Sequence, residues 1–400
     1  MKNNKLTNIL LVLSFIILVF GSGYKLGEYK NKSFLQQSTI GHRQSNFNFD
    51  LFWETWNKLK ERYVDQKKID PNKMYYGAIK GMVASIEDPY TFFLTPDENK
   101  QTKDDLGGKF EGIGAQLGLK DNRIIIIAPL KKSPAETAGV KPGDYINKVN
   151  DIATVNWTLS QAVSKIRGPR NTKVKLTLER NNKEIEVTIF RQQIIVASVE
   201  LSYTKNIAHL KVNQFGDNTN GEWDKTIDEI NNKWSNKQIK GMILDLRDNP
   251  GGYLESSVYL ASEFLPLGKL IVKQEATIYG DKEYRVLKMG KLKDIPLVIL
   301  INKGSASASE ILAGALRDYK RAQLVGEKSF GKGSVQEALD LGEGAGLHVT
   351  VAKWVLPNGD WINSKGIEPN IKIENEIKEG NTITQETDKQ LEKAIEILLK

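Results

Sequence analysis

From Leu6 to Tyr24 the chain carries no charge, and the strongly apolar run Ile9 to Phe20 sits inside this 19-residue stretch. That length just crosses the roughly 30 Å hydrocarbon layer as a helix. Lys2 and Lys5 precede it, which predicts a cytoplasmic N-terminus with the rest of the chain outside. Gly21-Ser22-Gly23 offers small residues but no Ala-x-Ala site, and there is no lipobox cysteine, so an uncleaved anchor over residues 1–25 is favoured over a cleaved signal. Residues 26–47 are mostly polar and lack apolar periodicity, as in a stalk. Helical spacing then begins. Phe49, Phe52, Trp56 and Leu59 recur on one face, followed by Tyr75, Ile79, Met82 and Ile86, which predicts a helical region over 48–108. Leu391, Ala394, Ile395, Leu398 and Leu399 form another stripe within 376–400. Such stripes cover a core or meet a second copy, and spacing alone does not choose.

Between the helical ends the texture changes. Residues 109–196 hold short apolar or alternating runs, such as Arg123 to Ala128 and Lys173 to Leu178, broken by Gly and Pro: a β-rich module. Residues 197–375 alternate strands with helical patterns, the mark of an α/β domain. Two units there share one design. A buried-type strand (240–246) runs into a Gly/Pro turn and a helix, and a second strand (296–301) runs into the small-residue turn 302–307 and a helix. Ligands of open α/β sheets collect in such loops, at the carboxyl ends of strands.

Composition narrows the chemistry. Cysteine is absent, which removes disulfides, thiolate metal sites and a cysteine nucleophile. The net charge is +8, but both signs are interspersed, which reads as a solvated surface and not as a nucleic-acid stripe. In the turn 302–307, small residues permit a sharp bend that leaves a hydroxyl exposed beside a helix N-terminus, where unpaired N–H groups stabilise an oxyanion. Ser307 with Glu310 is equally a helix capping box, and on residues alone the two readings stand level. A serine nucleophile needs a base. His42 falls in the stalk, and His209 and His348 read as strand residues. Lysine serves if burial strips its charge, and Lys332, between two glycines with Gln336 four residues on, is the candidate amine. A solvated surface lysine explains the same residue.

A resemblance separates these readings. Gly-Ser-Ala-Ser-Ala-Ser-Glu-Ile-Leu-Ala-Gly-Ala-Leu (304–316) followed by Gly-Lys-Gly-Ser-Val-Gln (331–336) resembles the carboxy-terminal processing peptidases, or tail-specific proteases. That family places its serine 25 positions before the lysine, which selects Ser307 over Ser305 and Ser309, and its glutamine matches Gln336. Asp245-Leu246-Arg247-Asp248-Asn249-Pro250-Gly251-Gly252 resembles the family's oxyanion loop, with Asp248 where many relatives carry Gly or Asn. The resemblance implies oxyanion donors from Gly252, in preference to Gly251, and Ala308. Gly81 to Tyr90, Leu94-Thr95-Pro96 and Lys365 to Asn370 match further family segments, so the likeness spans nearly the whole chain.

The β-rich module resembles a bacterial-type PDZ domain through Gly112-Ile113-Gly114-Ala115-Gln116-Leu117 and the string 133–144. Such a module adds a peptide as an edge strand and holds its terminal carboxylate on loop N–H groups. The implied tail-binding residues are Gly112, Ile113 and Gly114; Arg167, in Lys165-Ile166-Arg167-Gly168-Pro169, is a further candidate that couples tail binding to the active site, and a solvated arginine explains it equally well. Together these imply an α/β peptidase core of crotonase-like βαβ units with an inserted PDZ domain. Helical ends and an N-terminal transmembrane anchor complete the expected architecture. The expected activity is that of a membrane-anchored, extracytoplasmic serine endopeptidase acting on proteins with apolar C-termini. It needs no metal or organic cofactor and no nucleic acid, and its flanking helices offer a route to a homo-oligomer. A catalytically silent PDZ scaffold and an esterase using the same serine are the alternatives. A His/Asp/Ser protease is disfavoured by the lack of a Gly-Asn-Ser-Gly-Gly string.

Overall fold

A computed structural model describes residues 48–400 apart from 121, 131, 279 and 376–386. The expected anchor and stalk, and His42, lie outside the described residues. No helix among the described residues is long and apolar enough to cross a membrane. Two units divide between Tyr75 and Tyr76. The first holds helix α1 (Asp50–Arg62) and the start of α2 (Pro71–Ala84). None of the residues of α1 is buried: Phe52, Trp53 and Trp56 pack on one another, while Leu51 and Trp53 stay exposed.

In the second unit the chain runs from α2 into β1 (Phe92–Leu94) and α3 (Pro96–Leu106). Thr95 starts α3 with a full capping box, trading hydrogen bonds with Glu98 ahead of Pro96 at the first position. Sequence spacing marks no strand within 48–108, yet β1 lies there. Three residues are too few to show alternation; pairing with a distant strand makes them a strand.

The β-rich module follows: β2 (Lys109–Gly112), β3 (Ala115–Lys120), β4 (Arg123–Pro129), α4 (Pro134–Thr137), β5 (Tyr145–Val149), β6 (Ile152–Ala153), α5 (Leu159–Ile166), β7 (Lys173–Arg180), β8 (Lys183–Phe190) and β9 (Gln192–Ile195). Its main sheet has the order β3-β4-β5-β7-β8, so β3 is an edge. Ile124, Ile126, Leu176 and Leu178, on alternate positions of β4 and β7, fill its core.

The α/β part comprises β10 (Val199–Thr204), β11 (Ile207–Val212), α6 (Thr219–Ser235), β12 (Gly241–Asp245), α7 (Leu254–Ala261), β13 (Leu270–Glu275), β14 (Lys282–Arg285), β15 (Leu297–Ile301), α8 (Ala308–Asp318) and β16 (Gln323–Gly326). It ends with β17 (Ser334–Gly342), β18 (Ala345–Val355), β19 (Ile371–Lys372) and α9 (Lys389–Leu399). Its central sheet runs β10-β11-β12-β15-β16-β19, parallel from β11 onward. Every residue of β12 and β15 is buried, because helices and strands cover both faces of a parallel sheet; this is why they read as unbroken apolar runs. Helix α9 spends its apolar stripe on one face, with Leu391, Ala394 and Ile395 against Ile243, Val298 and Val325. A second sheet, β1-β18-β13-β14 with β17 also on β18, stands beside the carboxyl ends of β12 and β15 and supplies one wall of the site.

Candidate active site

Six residues (302–307) turn the chain from β15 into α8. Ser307 closes the turn at φ 55° and ψ −116°, a region sparsely populated by any residue with a side chain and worth of order 1–3 kcal/mol of strain. Its oxygen keeps the capping-box position facing the Glu310 N–H, but among the described residues its hydroxyl proton is donated to no group of the scaffold. Its neighbours differ. Ser305 and Ser309 are fully buried and donate their hydroxyl protons to the carbonyls of Leu246 (2.8 Å) and Asn249 (3.0 Å). Of Ser305, Ser307 and Ser309, Ser307 is the one whose hydroxyl proton is not given to the scaffold.

Glu310 completes the turn in a way the capping reading only half anticipates. Its carboxylate Oε2 accepts the N–H of Ser307 at 2.8 Å and that of Lys332 at 2.9 Å. Oε1 accepts the Gly331 N–H at 2.7 Å and the Ser329 hydroxyl at 2.5 Å. The residue is 1% exposed, so four donors compensate one buried anion. From sequence, only the Ser307–Glu310 spacing signalled any part of this.

Lys332 reaches the same cavity from the loop before β17. Burial holds its ammonium below the usual lysine range, and the nearby Asp88 carboxylate opposes that shift. Its Nζ lies 5.2 Å from the centre of the Tyr90 ring. Gln336, on β17, donates from Nε2 to Ser334 Oγ (2.8 Å) and Thr350 Oγ1 (3.2 Å). With the amide nitrogen engaged there, the oxygen is the end left for an amine.

The loop 245–252 is stitched to the serine turn. Ala306 N–H donates to the Asn249 carbonyl (3.0 Å), and Asn302 and Asp248 exchange side-chain bonds. Gly251 donates its N–H to Asn249 Oδ1 at 2.9 Å. Gly252 forms a parallel bridge with Phe215, made through the Gly251 carbonyl and the Tyr253 N–H. Bonds of that pattern leave the N–H of the bridged residue pointing away from its partner. Gly252 therefore suits an oxyanion better than Gly251, and Ala308, first residue of α8, offers a second helix-terminal N–H. A Cβ at Gly252 would lie 2.1 Å from the Phe215 carbonyl, so only glycine fits.

Ser307, Lys332, Gln336, Gly252 and Ala308 all line one cavity of about 430 Å³. Its apolar wall includes Ile311, Tyr284 and Trp354. His348 also lines it, stacked on Phe92 at 4.8 Å. Burial, with the Lys332 charge adding to it, keeps the His348 ring neutral over a wider pH range than usual. Sequence reading placed His348 in a strand but not at the cavity, since only the β1–β18 pairing shows which face of β18 meets the site.

His209 points elsewhere. Its Nε2 lies 3.0 Å from the Asp245 carboxylate, which also receives Nε and Nη2 of Arg247 at 2.9 and 2.7 Å. Burial would raise the Asp245 carboxyl; hydrogen bonds from His209 and Arg247 overcome this and hold it well below the usual range. Arg247 Nη1 continues to Asp388 (2.9 Å) and Gln390 (3.0 Å), fastening the loop 245–252 to the start of α9.

The tail-binding candidates collect on the β-rich module. Ile113, Gly114 and Arg167 line a groove of about 100 Å³ beside the free edge of β3, with Leu117, Val163 and Ile166 making it apolar. Gly112 sits at its rim, where a Cβ would be 3.6 Å from the Arg167 side chain. Arg167 Nη1 contacts both Asp105 oxygens at 2.8 and 2.9 Å, and its guanidinium covers the Phe110 ring at 4.5 Å. Asp105 belongs to α3, whose Thr102 and Leu106 line the Ser307 cavity.

Residues 206–373 match Peptidase family S41, residues 98–179 match the PDZ domain, and residues 18–98 match the Activating protease CtpB N-terminal domain. Carboxy-terminal processing protease CtpA of Bacillus subtilis (strain 168) is 38% identical over 371 residues, covering 91% of this chain and 77% of that protein. The chain belongs to peptidase family S41. Carboxy-terminal processing protease CtpB of the same organism is 38% identical over 330 residues, covering 81% of this chain and 67% of that protein. The solved photosystem II D1 C-terminal processing protease matches with a TM-score of 0.54 and 28% identity, over 81% of this chain and 92% of that one. This S41 member is a serine-type peptidase with a PDZ domain, and its substrates are proteins or peptides.

Proposed function

We propose that this peptidase is a membrane-anchored, extracytoplasmic endopeptidase that takes protein C-terminal tails into its PDZ groove and cleaves by Ser307, Lys332 and Gln336. Neutral Lys332 accepts the Ser307 proton as Oγ attacks the substrate carbonyl, and Gln336 orients the amine. The Gly252 and Ala308 N–H groups hold the oxyanion. Lysine returns the proton to the leaving amine, and water then hydrolyses the acyl-enzyme with Lys332 again as base. The observation that carries this reading is that a serine hydroxyl free to give up its proton, a lysine held by burial below the usual lysine range and two free-facing N–H groups share one cavity.

The groove beside β3 supports strand addition by a tail with apolar side chains. The Arg167–Asp105 pair supports coupling, since α3 reaches both groove and cavity. Anchoring rests on the uncharged stretch 6–24 and its basic flank. Exposed apolar residues on α1 support self-association through the N-terminal helix, whereas the stripe of α9 is already used.

The test is incubation of the full chain in detergent, wild type and Ser307→Ala, with an unfolded protein ending in an apolar tail. Cleavage by the wild type alone supports the reading, and equal cleavage by both ends it. Arg167→Ala tests the coupling, which is wrong if tail peptides stimulate that variant as they do the wild type. Alkaline extraction of membranes tests the anchor: release of the chain contradicts it.

A further inference from the structure

We infer that Asp88 is a positioning residue for the reaction: through Thr350 it fixes which end of the Gln336 amide faces Lys332. The inference rests on the Ser307/Lys332/Gln336 reading and adds to it a group from a segment distant in sequence. An ionised carboxylate only accepts hydrogen bonds. The Thr91 hydroxyl donates to Asp88 Oδ2 at 2.6 Å, and the Thr350 side chain joins it in holding the Asp88 carboxyl below its usual range, which sets the Thr350 hydroxyl against the carboxylate. Each hydroxyl has one proton, so both oxygens are left as acceptors. Thr91 Oγ1 accepts the Thr350 N–H at 3.0 Å, which locks β18 to the segment before β1. Thr350 Oγ1 accepts from Gln336 Nε2 at 3.2 Å. The polarity of the chain is thereby set from its anionic end. Carboxylate orients hydroxyl, hydroxyl takes the amide nitrogen, and the carbonyl oxygen of Gln336 is the end left for the amine. Gln336 and Thr350 are directly opposed across β17 and β18, so the bond follows from strand register.

The same carboxylate also acts on Lys332 through space. Among the described residues, the titratable groups around Lys332 are Asp88 and Tyr90 before β1, His348 on β18, and Glu310 behind its backbone. Asp88 stabilises the ammonium, so its neutralisation favours the free amine at lower pH.

The test is hydrolysis of an unfolded protein substrate by the full chain as a function of pH, with Asp88→Asn, Thr350→Val and Thr350→Ser made alone and on Gln336→Ala. We expect Asp88→Asn and Thr350→Val to lower kcat about tenfold with little change in KM, the size of one lost hydrogen bond. Thr350→Ser should restore most of the rate. On Gln336→Ala the same changes should cost less than about twofold, because interacting sites are not additive. Asp88→Asn should also move the acid limb of the profile about half a unit or more to lower pH, which a merely structural loss does not do. Full kcat with an unmoved limb, or losses undiminished on Gln336→Ala, overturns the inference. Should Asp88→Asn fail to fold, the Thr350→Val and Thr350→Ser contrast decides it. Lys332→Ala separates the two claims. Full activity there means that the Ser/Lys reading has failed. An inactive Lys332→Ala beside an unaffected Asp88→Asn means that only this inference has.

Discussion

Glu310 and Lys332, 22 residues apart, are joined by a 2.9 Å hydrogen bond from the lysine N–H to carboxylate Oε2, the same oxygen that takes the Ser307 N–H. One buried anion thus sets the spacing between the loop that carries the hydroxyl and the loop that carries the amine. Replacing it by an isosteric amide turns one acceptor into a donor facing donors. Glu310→Gln should cost about 1–3 kcal/mol of stability and at least about 100-fold in kcat. Urea unfolding and steady-state rates check this, and a variant with unchanged kcat would show that the loops hold their spacing without the anion.

Activity should rise with pH. In the proposed mechanism the working base is the free amine, and burial holds Lys332 below the ordinary lysine value of about 10.4, so the rising limb should have its midpoint below that value. Lys332→Arg, whose guanidinium stays charged, should be inactive at every pH. A kcat/KM profile that declines toward mild alkali, with circular dichroism showing an intact fold, contradicts the assignment.

Three serines within five residues should separate by function. Ser307→Ala should abolish turnover and leave the melting temperature unchanged or raised, since the strained backbone is kept by the Ser307 N–H bond to Glu310 and the hydroxyl donates to no scaffold group. Ser305→Ala and Ser309→Ala should each cost about 1 kcal/mol, because each removes one buried hydrogen bond, and should retain turnover. Thermal melts beside rate assays distinguish them. Loss of chemistry from Ser305→Ala or Ser309→Ala, with Ser307→Ala active, reverses the assignment.

The loop 245–252 should depend on the C-terminal helix. Asp388→Ala removes one carboxylate from Arg247, a largely buried cation, and should cost about 3 kcal/mol. Asp245 adds a pH dependence. Its folded carboxyl lies well below the unfolded value of about 3.9, so its contribution is complete above that value and is lost as pH falls toward the folded one. Acid unfolding should therefore be shallower in Asp245→Asn than in wild type. Identical acid limbs in the two proteins would remove Asp245 from the account.

The apolar runs of β12 and β15 were legible because a strand buried on both faces leaves a mark on every residue, and α9 because its stripe repeats at helical spacing. The turn 302–307 was legible through its small residues and through family spacing, which singled out Ser307. Strand β1 was not legible, since its three residues acquire their form from β18. Nor was the position of His348 at the cavity, although the histidine itself was in plain view.

From its sequence alone this chain declared the helices at its ends, the two buried strands β12 and β15 with the helices after them, its two loop motifs and the residue types able to do acyl transfer, because those properties reside in neighbours a few positions apart. Folding alone decided which hydroxyl proton stays uncommitted, which glycine N–H faces the cavity, and that Glu310 and Asp88 govern a lysine far from them in the chain. Hydrogen-bond polarity and burial depend on what arrives from elsewhere in the molecule, and no local pattern records what will arrive.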